Sequence, residues 1–143
     1  MYTGLQHLHS YLAYLVLITI VVAIIVSFSA WLSGKPFTDK SRKLALPALI
    51  TTHLQWLFGV VLYFVSPLGF NLFSTEGFMS NAVTRLYAVE HPFTMILGVV
   101  LITIGFARAK RGKDAKKQHF SIWAFYLAGL ILILSRIPWQ TWP

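Results

Sequence analysis

Four ionisable residues lie inside long apolar stretches of this chain: His53, Glu90, His91 and Arg136. His7, His9 and His119 stand at the boundaries of such stretches. An ionisable side chain in hydrocarbon is costly, and it marks a polar partner or a function. Imidazoles projecting inward from different helices of a four-helix bundle build heme sites, in which two of them ligate the iron. A guanidinium level with a carboxylate pairs with it, or else meets an acidic group of a ligand such as a heme propionate. Other chemistries lack their residues. The chain has no cysteine, which removes thiolate nucleophiles, iron–sulfur clusters and cysteine-type zinc sites. It has no HExxH, no glycine-rich phosphate loop and no Ser/His/Asp arrangement.

The elements that must position these residues follow from composition. Of 143 residues, 57% are hydrophobic and 11% charged, against about 25% charged in a soluble domain. A bilayer core needs roughly 20 apolar residues per helix, and four stretches qualify: residues 11–33, 44–66, 86–107 and 119–138. The first two carry no charge, the third only Glu90 and the fourth only Arg136. The fold expected is all-α, an integral membrane four-helix bundle forming one domain over residues 1–143. The first basic residue is Lys35, so the first stretch lacks the basic start of a cleaved signal peptide and is expected to be retained.

Ten of the 12 lysines and arginines fall in two connections, Lys35 to Lys43 and Arg108 to Lys117. The positive-inside rule then places both connections in the cytoplasm and both termini on the outer, periplasmic side. The net charge of +8 is concentrated beside the spans, where it orients the chain and meets anionic lipid head groups rather than nucleic acid. Pro36, Pro47, Pro67 and Pro138 are expected at span ends, where a missing N–H costs least. Pro92 is the exception, and His91 before it is expected to mark a break between two helical pieces. Residues 80–90 read as a short helix capped by Ser80, and residues 69–78 as a loop folding back over the outer mouth.

Depth arithmetic at 1.5 Å per residue sets which groups can meet. Glu90, His91 and Arg136 fall roughly 5 Å below the outer surface, with His7 and His9 at or just above it. His53 lies roughly 12–14 Å from the cytoplasmic side, about 12 Å from the level of His91. The outer cluster is therefore Arg85, Glu90, His91, Arg136 and the N-terminal histidines, and a Glu90–Arg136 ion pair is expected within it. His7 and His9 are two apart and diverge on a helix, so at most one faces the bundle. Gly98 and Gly105 share the face of His91, which admits either a flat bulky group or another helix backbone. His53, with Gln55, Trp56 and Gly59 nearby, requires a backbone carbonyl, a hydroxyl or a metal as partner.

The segments HLHSYLAYL, THLQ followed by GVVLYFVSPLG, RLYAVEHP and SRIPW resemble small four-span bacterial membrane proteins described as cytochrome-b-like, over essentially the whole chain. There is a looser resemblance to half of a heme A synthase. The resemblance implies a multi-pass protein of the bacterial inner membrane that binds heme b and transfers electrons within the membrane. It implies His91 and His53 as first iron ligands, His9 or His7 next, and Arg85 and Arg136 against propionates. The 12 Å offset between His53 and His91 stands against that first pairing. A competing expectation is a cofactor-free accessory subunit, packed laterally against other subunits of a respiratory or secretion complex or against its own copies.

Overall fold

The computed structural model describes residues 2–142. Four helices are long and apolar enough to cross a membrane, consistent with a multi-pass helical bundle. They are α1 (Tyr2–Leu32), α2 (Asp39–Val65), a third span running from Ala82 to Arg111, and α5 (Ala115–Ser135). The third span consists of a single turn, α3 (Ala82–Arg85), a π-helical turn over Leu86–Glu90, and α4 (His91–Arg111). The helices form a ring: α1 packs on α2 and α5, and α4 packs on α5 and α2. The α4–α5 seam is the most extensive and the α2–α4 seam the thinnest.

Ile20, Ile102, Ile122, Tyr126 and His119 are fully buried. Two polar pairings lie inside: Tyr126 donates to the Ala45 carbonyl at 3.1 Å, and the Thr19 and Thr51 hydroxyls meet at 3.0 Å. His119, at the boundary of its span, is buried against the first basic connection. Its Nε2 is 3.4 Å from the Pro36 carbonyl and its ring meets Phe37 edge-on at 5.0 Å, which ties the first basic connection to α5.

Local chemistry sets the helix ends. Gly34, at φ +62°, takes the left-handed conformation that closes α1, with the Lys35 amide donating back to the Ala30 carbonyl at 3.0 Å. Thr38 and Ser41 cap α2 reciprocally, and Asp114 caps α5 by accepting from the Lys117 amide. The capping box starts α2 ahead of its apolar run, so Pro47 lies inside the helix and not at its end. At the other end of the bundle, the Trp142 indole donates to the Ser10 carbonyl at 3.0 Å and its ring lies 4.4 Å from Tyr14. Both termini therefore lie together, opposite the basic connections.

Two expectations for the third span are corrected. Asn81, not Ser80, caps it, accepting from the Val83 and Thr84 amides. Nor does the chain break at His91, which is helical at φ −62° and ψ −56°, its amide donating five residues back to Leu86. The π turn absorbs what Pro92 would otherwise interrupt. A proline lacks the amide that would serve the carbonyl four residues earlier. That carbonyl belongs to Ala88, and the Tyr63 hydroxyl of α2 donates to it at 2.9 Å. Residues 66–81 carry a 3-10 turn, Phe70–Ser74, which packs against the end of α2 and the π turn.

Candidate functional site

The groups expected near one surface converge where both termini lie. Glu90 bridges two arginines: Arg85 Nε donates to its Oε1 at 2.7 Å, and Arg136 Nε lies 3.2 Å from its Oε2. Arg85 also donates to the Met79 carbonyl and Arg136 to the Ser135 carbonyl. One carboxylate between two guanidiniums leaves this triad with one unit of positive charge. All three side chains are between 31% and 46% exposed, so the pairs are partly solvated and individually weak.

His91 follows directly. Its Nδ1–H donates to the Arg136 carbonyl at 2.8 Å. That bond fixes the tautomer and orientation of the ring and leaves Nε2 as the nitrogen with a lone pair to offer. His9 of α1 faces it: the two ring centres are 6.4 Å apart with an interplanar angle of 77°. His9 Nδ1 is buried without a hydrogen-bond partner. A buried imidazole nitrogen left in this state is costly in a low-dielectric interior.

The sequence did not mark the wall that places His9. Gln55, Gly59 and Tyr63 recur every four residues along α2 and share one face. Gln55 Nε2 donates to the His9 carbonyl at 2.9 Å. A Cβ at Gly59 would stand 3.0 Å from His9 Cε1, so the absent side chain is what admits the ring. Tyr63 holds the π turn just ahead of His91. The i, i+4, i+8 spacing was visible beside His53, which lies on a different face.

The remaining histidines stay apart from this pair. His7 is exposed and stacks on Tyr11 at 6.2 Å on its own helix. His53 Nδ1 bonds the Leu49 carbonyl of its own helix at 2.7 Å, and its Nε2 is 3.4 Å from the Thr103 hydroxyl. Thr103 is twelve residues beyond His91, about 18 Å along α4, so the structure does not bring His53 and His91 together. His53 instead lines a shallow apolar groove of about 300 Å³ with Trp56 and residues of α4.

The glycines below His91 face a helix. A Cβ at Gly105 would lie 2.6 Å from Phe125 Cβ and 2.8 Å from the Ser121 carbonyl oxygen. One at Gly129 would lie 3.1 Å from the Gly98 carbonyl oxygen. The face that the sequence left open to a flat ligand or a helix is filled by α5. Among the described residues, no three histidine, aspartate or glutamate side chains converge as a metal site. No protein-family model, no curated protein and no solved structure matches the chain.

Proposed function

We propose that the chain is a b-type cytochrome-like subunit of the bacterial inner membrane, with its termini on the periplasmic side and heme b held between His9 and His91. The observation that carries this reading is the facing pair itself: two imidazoles from different helices, one oriented by a carbonyl and the other with an unpartnered buried nitrogen. His9 and His91, with ring centres 6.4 Å apart, would hold the heme iron through one ring nitrogen each. A porphyrin supplies four nitrogens of its own, so two protein ligands suffice and a third metal-binding side chain is not needed.

Heme bound here supplies a one-electron iron couple, and the chain sets its position, access and potential. The Arg136 carbonyl orients His91, Gln55 pins α1 at His9, and Gly59 gives the His9 ring its room. Glu90 restrains Arg85 and Arg136 and leaves one net positive charge, suited to a propionate at the membrane surface. This pairing replaces the His91–His53 pair that the resemblance implies. A second reading, a cofactor-free accessory subunit, is favoured by the glycine face of α4 being filled by α5 and by both arginines already having a carboxylate.

A pyridine hemochrome assay on detergent-purified protein, made in cells with ample heme, separates the two. Heme is expected in the wild type and in His53→Ala, and is expected to be lost from His9→Ala and His91→Ala. A colourless wild type overturns the cytochrome reading and leaves the accessory subunit. Orientation is tested in the same cysteine-free background: Lys113→Cys should be shielded from an impermeant thiol reagent in intact cells.

A further inference from the structure

The opposite end of the bundle carries a cleft unrelated to the histidine pair. Between the end of α1 and the start of α2 lies a groove of about 530 Å³. Lys35, Lys40 and Ser41 stand at its mouth, and Ile25, Val26 and Leu44 line its floor. Ile25 is seven residues from the end of α1, so the floor descends about 10 Å along the helix. Floor side chains are open to the surroundings: Ile25 is 61% exposed and Leu44 38%.

The charges at the mouth lack partners. Of the two acidic residues at this end, Asp39 pairs with Arg42 at 3.1 Å and Asp114 caps α5. Among the described residues, neither Lys35 nor Lys40 has a carboxylate within ion-pair distance. Lys40, Arg42 and Lys43 also stand in the opening turns of α2, against the positive end of its dipole, an arrangement that an anion at the mouth relieves.

We propose that this groove binds one anionic phospholipid, its phosphate between Lys35 and Lys40 and an acyl chain along Ile25, Val26 and Leu44. Charge complementarity selects the head group, and the length of apolar floor below it selects a lipid over a soluble anion. The connection is held in shape from behind, because His119 of α5 is close to the Pro36 carbonyl and Gly34 fixes the turn before Lys35. The inference does not depend on heme: it concerns the other end of the bundle and stands if the protein is colourless.

The experiment is native mass spectrometry of the full chain in detergent, titrated with phosphatidylglycerol, phosphatidylcholine or inorganic phosphate. One phosphatidylglycerol per chain should be retained, with phosphatidylcholine bound far more weakly and inorganic phosphate failing to displace it. Lys35→Ala combined with Lys40→Ala should weaken retention roughly 20-fold, while Lys113→Ala combined with Lys117→Ala should change it by less than about threefold. Val26→Trp keeps every charge and fills the floor, so it should weaken retention too, and it decides the matter if the double lysine variant fails to fold. Equal loss from both lysine pairs, equal binding of phosphatidylcholine, displacement by phosphate, or wild-type binding by Val26→Trp would each overturn the proposal.

Discussion

Helix α4 meets its two neighbours in opposite ways. Toward α5 it presents Gly98 and Gly105, and the backbones come close enough that a Cβ at Gly105 has no room. Toward α2 it presents Ile96, Val100 and Thr103 across an open groove, with one clamp at the top where Tyr63 reaches the Ala88 carbonyl. In hydrocarbon no hydrophobic force draws helices together, so association rests on close packing and interhelical hydrogen bonds. One seam uses the first and the other uses the second. The closely packed seam holds the bundle together, and the open seam leaves a polar histidine satisfied by its own helix.

That contrast can be broken most forcefully at Gly105. Gly105→Val should destabilise the bundle by about 3 kcal/mol or prevent its assembly, because Phe125 and the Ser121 carbonyl cannot both move away. Thermal unfolding in detergent reads this, and a wild-type midpoint would show that the seam is not closely packed. Next is the clamp. Tyr63→Phe should cost about 1 kcal/mol by leaving the Ala88 carbonyl without its donor. In a Pro92→Ala background the same change should cost much less, since residue 92 then has an amide of its own; equal costs in the two backgrounds would remove the proline from the argument.

Gly98→Ala should fall within about 0.5 kcal/mol of wild type. The Ile133 side chain can yield by a few tenths of an ångström, and the gain in helix propensity offsets the crowding. The smallest effect is expected at His53→Ala, under about 0.5 kcal/mol, because its shorter bond runs to the helix it belongs to. A large loss there would mean that the open seam depends on the imidazole after all.

The four long helices follow directly from the apolar runs, and the grouping of Arg85, Glu90, His91 and Arg136 follows from their spacing along them. Their connectivity was less legible. Depth arithmetic places Glu90 level with Arg136 but does not show that Arg85 takes the other carboxylate oxygen. Glycine spacing identifies a face of α4 without naming what covers it. The apolar run begins at Tyr11, which puts His9 at a boundary; α1 in fact starts at Tyr2 and carries His9 inside. The Gln55, Gly59 and Tyr63 stripe has the right period, but it carries no charge and lies beside the in-span His53. The π turn left no local signature, since Pro92 alone is equally consistent with a break.

That π turn acts as a phase shifter. On a regular α-helix, residues five apart are separated by about 140° around the axis, so Arg85 and Glu90 would diverge. A turn closed by a bond from residue 91 to residue 86 accommodates one extra residue and brings positions five apart nearly into line. The Arg85–Glu90 bridge at 2.7 Å is a product of that added residue. Deleting one residue from Leu86–Val89 would therefore convert the turn to regular α-helix with Arg85 and Glu90 four apart and still on one face, whereas straightening the turn at constant length would rotate everything before it by about 100° and uncouple the pair.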